Sequence, residues 1–475
     1  MPRGPTSVKA THVAFEADGV ALRGQLIRTT RHAAYFELHQ PDSSLRVSER
    51  FAKFEIIFQD QLVYTGPALI RSLVHTGLTL TCEVALDEAH WTDVNPIHSG
   101  ASGGNLQQEC RAFLSEWQNC YKVLPEYKVI ITDMQTFLAD ARLWLEHAEL
   151  SLRNLPASQL AVREREIAAQ LEPMMVPAIR NLFERFEEVS RQVEPDMVLP
   201  HHAFGKRLVQ PLLLSSPFVN RTLTKPLGYA GDYEMVNMMF REPFAGPSLF
   251  AKLINVYALQ LPPIVGHRNR IDYLLKRLEQ EALRTAARQQ PFRVFNLGCG
   301  PAQEIQRFMA QNELSNRAQF TLLDFNDETL AYTNRLLSDL KSRHARRTTV
   351  KLVKKAVHML IKASGRAETY MRHGQYDLVY CAGLFDYLND QVCQQMMDIF
   401  YQILAPGGFL VATNVDDHPA KNQMECFLEW NLIYRDHQKM REVAPQAARE
   451  EAVTLKRDPS GVNVFIEVRK PDVEK

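Results

Sequence analysis

The stretch Val294-Phe295-Asn296-Leu297-Gly298-Cys299-Gly300 decides the fold. A short apolar run ends in a turn with two glycines, the pattern of a buried strand whose backbone must bend tightly and leave space beside itself. Downstream, runs of strand length alternate with helical stretches. A helix begins near Gln303, a strand spans 319–324, a helix begins near Glu328, strands span 349–354 and 376–381, a helix begins near Gln391, and a strand spans 408–413. Strands separated by helix-length segments pair in parallel, with the helices packed on the sheet faces. Two last runs, 453–456 and 463–468, flank the turn sequence Asp458-Pro459-Ser460-Gly461 and predict an antiparallel hairpin at the sheet edge. The expected fold of this region is an α/β, Rossmann-like, doubly wound sheet with an antiparallel C-terminal edge.

Sheets of this kind bind ligands beyond the carboxyl ends of their strands. Gly298 and Gly300 allow a ligand close to the backbone, and Asp324 ends the next strand, where a carboxylate accepts hydrogen bonds from both hydroxyls of a ribose. A GxG turn alone is equally a tight strand-to-helix turn without a ligand. The third glycine of the dinucleotide fingerprint is missing, which disfavours a nicotinamide cofactor.

Taken with Tyr376-Asp377, Pro406-Gly407-Gly408 and the terminal hairpin, this order resembles the class I methyltransferase family. The resemblance implies S-adenosyl-L-methionine as cofactor. It would place Asn296, Gly298, Cys299 and Gly300 beside the methionine and ribose parts, Asp324 on the ribose hydroxyls and Phe325 near the adenine. Ala356 and Val357 stand where the family usually has an acidic residue, so backbone groups would replace that side chain. Cys381 and Ala382 would flank the transferable methyl group, although a buried small apolar residue is the commoner fate of a cysteine such as Cys381.

Three further segments narrow the resemblance: 376–388, Tyr-Asp-Leu-Val-Tyr-Cys-Ala-Gly-Leu-Phe-Asp-Tyr-Leu; 225–235, Lys-Pro-Leu-Gly-Tyr-Ala-Gly-Asp-Tyr-Glu-Met; and 429–435, Glu-Trp-Asn-Leu-Ile-Tyr-Arg. Together they are similar to bacterial 3-hydroxypalmitic acid methyl ester synthases, which make quorum-sensing fatty acid esters, over roughly residues 220–470. The resemblance implies carboxyl O-methylation of a 3-hydroxy fatty acid. A carboxylic acid of pKa about 4 to 5 is ionised near neutrality, so such a reaction needs no general base, only a group that orients the carboxylate. Candidates for the catalytic set are Tyr229, His267, Tyr434 and Arg435, with Arg268 and Arg270 beside them; the plainer reading of the arginines is a solvated helix face. Tyr229, Phe385 and Tyr387 line the acceptor pocket in one reading and fill the core in the other. A hydroxyl or amine acceptor would need a base such as His267 or Asp386, and a regulator that only senses the cofactor is the non-catalytic alternative. Residues 221–247 read either as a connector or as a lid carrying Tyr229, Asp232 and Tyr233.

Upstream, residues 11–95 alternate with period two, as in 24–28, 34–38, 54–58 and 78–84, and predict a β-rich domain over 1–97 that resembles a PilZ-type barrel. Intact PilZ modules bind cyclic di-GMP through an arginine pair and a D/N-x-S-x-x-G turn. Here the corresponding turn is Arg28-Thr29-Thr30-Arg31-His32-Ala33, without the acidic residue or the glycine, so a barrel used for dimerisation or docking is the expectation. The sensor alternative keeps Arg23, Arg28 and Arg31 as phosphate contacts. Residues 98–105 read as a linker, 106–245 as a helical region with the lid segment, and 246–475 as the methyltransferase domain. Phe113, Trp117 and Tyr121, then Phe137, Ala141, Trp144 and Ala148, recur at helical spacing and predict helix-bundle core, while His201-His202 reads as a loop or helix cap with no metal.

Composition bounds the partners. The 475 residues carry 55 basic and 55 acidic side chains, which implies no nucleic-acid-binding field. The seven cysteines form no CxxC pair, no apolar run spans a bilayer, and no signal peptide opens the sequence, so a soluble, cytoplasmic protein is expected. The resemblance to the ester synthases implies a small-molecule fatty acid as substrate, and homodimer formation through the barrel is one use of that domain.

Overall fold

A computed structural model describes residues 11–17, 20–38, 45–58, 61–75, 80–92, 122–152, 154–363 and 371–472, with a few positions between 107 and 118. The linker 98–105 and two members of the first aromatic stripe, Trp117 and Tyr121, lie outside the described residues. The chain divides into two compact units. One comprises Met1–Leu223, Pro243–Ala258 and Cys426–Leu428; the other comprises Thr224–Glu242, Leu259–Glu425 and Glu429–Lys475.

In the first unit, strands β1 (His12–Ala17), β2 (Val20–Thr29), β3 (Ala33–Leu38), β4 (Arg50–Phe58), β5 (Gln61–His75) and β6 (Leu80–Leu86) close into an antiparallel barrel of order β1-β2-β3-β6-β5-β4. Alternation in the sequence becomes alternation in space: Val13, Phe15 and Ala17 face inward on β1, and Phe15 packs against Phe36, Phe51 and Phe54. Each buried phenylalanine contributes about 1.5–3 kcal/mol of transfer free energy.

The Pro125–Glu149 helix opens with proline, whose missing N–H costs nothing there. Its buried row is Tyr127, Ile130, Ile131, Met134, Leu138, Ala141 and Leu145. This corrects the expected stripe, which lies to one side: Ala141 belongs to both, but Trp144 is 54% exposed. The row with more aliphatic volume goes inside, and the large indole is left out. His201 is likewise not in a loop. It sits buried within the Val198–Leu213 helix, where Nε2 accepts from Leu124 N at 3.0 Å and Nδ1 lies 2.7 Å from Met197 O.

The second unit is built on a seven-stranded sheet of β7 (Phe292–Leu297), β8 (Ala318–Asp324), β9 (Thr349–Lys354), β10 (Tyr376–Cys381), β11 (Leu404–Val415), β12 (Val453–Arg457) and β13 (Asn463–Arg469). Its order is β12-β13-β11-β10-β7-β8-β9, with β11 to β9 parallel and β13 and β12 antiparallel. The sheet is Rossmann-like, as its alternating sequence predicts. Central strands are apolar almost throughout because both faces are covered. The helices Pro262–Ala287, Gln303–Gln311 and Asp327–Arg343 pack on one face through Leu274, Leu278, Ile305, Phe308 and Leu337, and Asp390–Ile403 packs on the other through Cys393, Met396, Met397 and Phe400. From β7 the chain moves outward to β8 and β9, then returns to β10 on the other side of β7. That reversal opens a crevice beyond the carboxyl ends of β7 and β10.

Candidate active site

The crevice is a cavity of about 460 Å³. Its floor is the turn after β7. Gly298 (φ +70°) and Gly300 (φ +50°) adopt left-handed conformations, and a Cβ on Gly300 would meet nothing within 4 Å, so the open side of the turn faces the cavity. Gly298 N and Cys299 N both donate to Leu323 O, at 2.8 and 3.0 Å, which ties the turn to the end of β8. There Asp324 accepts from Gly300 N and from Asn326 N, each at 3.1 Å. Burial raises the pKa of Asp324, and the backbone N–H groups oppose that shift by favouring the carboxylate.

Along the floor the wall changes character. On the β8 and β9 side it is Phe325, Lys355, Ala356 and Val357; on the β10 side it is Asn296, Glu304, Tyr380, Ala382, Gly383 and Leu384. Over the cavity lies a strap, residues 229–236, entered through Gly228 (φ +85°) and bent at Gly231 (φ +82°). Tyr229 places its ring 5.0 Å from that of Phe325 and its hydroxyl 3.4 Å from Thr329 Oγ1, and burial pushes its pKa up to about 12. Asp232 is a helix cap, accepting from Met235 N at 2.8 Å, rather than a ligand-facing acceptor. The strap is held by Tyr387, which donates to Ala230 O at 3.2 Å and accepts from Trp430 Nε1 at 2.8 Å.

The Pro262–Ala287 helix supplies His267 and Arg270 to the cavity wall. Arg270 Nη2 lies 2.7 Å from His267 Nδ1. A guanidinium only donates, so Nδ1 is the acceptor and the neutral ring carries its proton on Nε2. Burial, followed by the charges of Arg270 and Arg268, holds the His267 pKa well below its usual value. Arg270 is 5% exposed, and its nearest carboxylate oxygen is Asp386 Oδ2, 4.0 Å away. Burial lowers the Arg270 pKa, with Asp386 opposing, and burial raises that of Asp386, with Arg270 opposing.

Residues 295–410 match a family described as methyltransferase domain. Over those residues the chain carries a methyltransferase domain. Its fold is similar to a possible exported protein from Bordetella parapertussis (20% identity, TM-score 0.41, covering 55% of this chain and 87% of that one). Similarity extends to magnesium protoporphyrin IX methyltransferase from Synechocystis PCC 6803 (11%, TM-score 0.31, 44% and 84%) and to an O-methyltransferase family protein from Burkholderia thailandensis (10%, TM-score 0.32, 54% and 72%). No curated protein matches the chain.

S-adenosyl-L-methionine is the cofactor of such a domain, and the cavity suits it. A carboxylate stands at the end of β8, a left-handed turn leaves space beside the backbone, and Asn296 Oδ1, buried and on the cavity wall, has no hydrogen-bond partner among the described residues. Of the residues the sequence assigns to the cofactor, Asn296, Gly298, Cys299, Gly300, Asp324, Phe325, Ala356, Val357 and Ala382 line the methyltransferase cavity. Cys381 does not. It is fully buried in the core with Cys393, Phe385 and Leu410, because the side chain at the last position of β10 faces the sheet's helical layer.

Of the expected catalytic set, the structure brings Tyr229 and His267 to the cavity. Tyr434 and Arg435 are elsewhere, a correction with a clear cause. Arg435 is fully buried and donates to Asp390 Oδ1 at 2.7 Å and to Phe385 O and Asn414 Oδ1 at 2.8 Å, so its fork is used up in fastening the loop after β10. The Tyr434 ring packs 5.8 Å from that of His418, with Lys421 Nζ 4.6 Å above it. Arg268 donates to Met239 O and Leu259 O and is likewise structural. Sequence reasoning missed Glu304, Lys355, Trp430 and Asn463, all of which line the cavity. Trp430 stands inside the 429–435 segment that carries the resemblance, and Glu304 is an acid at the start of a helix, a position ordinarily explained by the helix dipole.

Proposed function

We propose that the enzyme transfers the methyl group to the carboxylate of a fatty acid, with a 3-hydroxy fatty acid as acceptor and a methyl ester signal as product. The observation that carries this reading is Arg270, a buried guanidinium on the wall of a cavity that also presents Met235, Val236, Ile271, Leu274, Leu384 and Leu432. A buried cation beside an apolar surface is complementary to a carboxylate with an alkyl chain. The likeness of 376–388, 225–235 and 429–435 to 3-hydroxypalmitic acid methyl ester synthases supports the same acceptor.

In this reading Asp324 holds the ribose hydroxyls, Phe325 and the backbone at Ala356 and Val357 flank the adenine, and the Gly298–Gly300 turn lies under the junction. The cofactor, when bound, supplies an electrophilic sulfonium methyl, which a carboxylate oxygen takes by in-line displacement as the carbon–sulfur bond breaks and neutral S-adenosylhomocysteine leaves. Arg270 and the Nε2–H of His267 orient the carboxylate. His267 is poorly placed to act as a base, since its Nδ1 lone pair is engaged by Arg270, and an ionised carboxylate needs none. The strap excludes water from the nucleophile. Incubation with methyl-labelled S-adenosylmethionine and a 3-hydroxy fatty acid is expected to give a neutral ester with the label on the carboxyl group. Label on the hydroxyl as an ether, or no transfer to any fatty carboxylate, would overturn the acceptor assignment.

A further inference from the structure

One wall of the cavity presents a buried carboxamide that the chemistry described so far leaves unused. Asn463, the first residue of β13, is 1% exposed and lines the cavity, yet neither its Oδ1 nor its Nδ2 has a hydrogen-bond partner among the described residues. Its backbone is firmly held. Asn463 N donates to Asp458 Oδ1 at 2.7 Å, its O accepts from Asp458 N at 3.1 Å, and β13 pairs with β11 here at Val415. Asp458 also accepts from Asn269 Nδ2 at 2.7 Å, which ties this end of the hairpin to the Pro262–Ala287 helix. On that helix the amide rests against Gly266: a Cβ there would lie 2.7 Å from Asn463 Nδ2, so the glycine leaves the room that the amide occupies. A buried carboxamide with both ends unpaired is unfavourable, and a scaffold that holds it so points to a ligand that completes it.

The place of that amide fixes the group it suits. In the sheet, β13 is separated from β8 by β11, β10 and β7, so Asn463 is far from the strand end that carries Asp324. Gly266 directly precedes His267 and stands one helical turn before Arg270, so the amide borders the end of the cavity where those two side chains stand. Resting on the acceptor reading above, a carboxylate held by Arg270 and His267 leaves the next carbons of the acid beside this wall. The hydroxyl of a 3-hydroxy acid, on the second carbon from the carboxylate, both donates and accepts a hydrogen bond, and a carboxamide offers an acceptor and a donor side by side in return. A methylene in the same place satisfies neither end. We infer that Asn463 is the specificity-determining residue for the acceptor, with Nδ2 donating to the 3-hydroxyl oxygen and Oδ1 accepting from its O–H. Arg270 thus recognises that the substrate is an acid, and Asn463 that it is hydroxylated.

Methyl transfer by the full chain tests the assignment with two acceptors of equal chain length, a 3-hydroxy fatty acid and the same acid with hydrogen in place of the hydroxyl. The wild type is expected to favour the hydroxy acid by about 100-fold or more in kcat/KM, because the plain acid leaves both buried ends of the amide unpaired. Asn463→Leu, close in size and apolar, is expected to erase that preference while S-adenosylhomocysteine still binds. Asn463→Ser, which keeps a donor and an acceptor on a shorter side chain, is expected to retain part of it, and carries the test if leucine disrupts the hairpin. A wild type indifferent to the hydroxyl, a preference that survives in Asn463→Leu, or an equal fall for both acids in both variants would overturn the inference. Absence of ester from either acid in the wild type would instead overturn the acceptor reading, and this assignment with it.

Discussion

A guanidinium kept in an apolar cavity with a histidine nitrogen at 2.7 Å and a carboxylate no nearer than 4.0 Å is short of partners. Desolvation of Arg270 is offset only in part by those contacts, and its Nε has no hydrogen-bond partner among the described residues. In the proposed function an incoming acceptor carboxylate would complete the arrangement, which assigns the arginine to acceptor binding rather than to the cofactor site. Arg270→Gln is therefore expected to raise the KM for the fatty acid by about 10- to 100-fold, while S-adenosylhomocysteine affinity stays within about twofold. Steady-state kinetics beside calorimetry would check both halves. A large loss of cofactor affinity with unchanged KM would assign Arg270 to the other substrate. The neighbouring His267 stays uncharged for reasons of burial first and of the Arg270 and Arg268 charges second, which keeps it a hydrogen-bond donor at Nε2 rather than a second cation.

At the scale of elements, the loop after β10 is fastened by Arg435, which reaches back from beyond β11 to Asp390, Phe385 O, Leu388 O and Asn414. Removing a fully buried charge that holds four partners leaves those partners unsatisfied, so Arg435→Ala is expected to cost about 3–5 kcal/mol of stability, read as a lower Tm and denaturation midpoint. A variant as stable as the wild type but without activity would restore Arg435 to the chemistry. The same contrast explains what the sequence could and could not disclose. Gly298, Gly300 and Asp324 were legible because a strand end and the turn after it are local features, and their ligand-facing geometry follows from the sheet order. Arg270 was legible only as one of several orienting candidates, and the surroundings of Arg435, Tyr434 and Glu304 were not legible, because they depend on which distant segment packs beside them; a charged helix position reads as solvated until a neighbouring strand covers it. The Pro125–Glu149 helix shows the same limit in miniature, since two overlapping apolar rows compete and only packing chooses the row through Tyr127, Met134 and Leu145 over the one through Trp144.

For the whole molecule, a closed six-stranded barrel belongs to one compact unit and a seven-stranded mixed sheet to the other, and every residue lining the cavity falls within the second. Among the described residues no single helix is long and apolar enough to cross a membrane. With 55 basic and 55 acidic side chains the chain has no net formal charge to steer an anion, so the proposed acceptor would be recognised locally, inside the cavity. Everything proposed for that cavity depends on the cofactor lying across Asp324. The most direct test is calorimetric titration of the full chain with S-adenosylhomocysteine, for the wild type and for Asp324→Ala. Two charge-assisted hydrogen bonds to a ribose are worth about 100-fold or more in affinity, so the wild type should give a saturable single-site isotherm and the variant almost none. Equal binding by the two proteins would contradict the site, and with it the account of the enzyme built upon it.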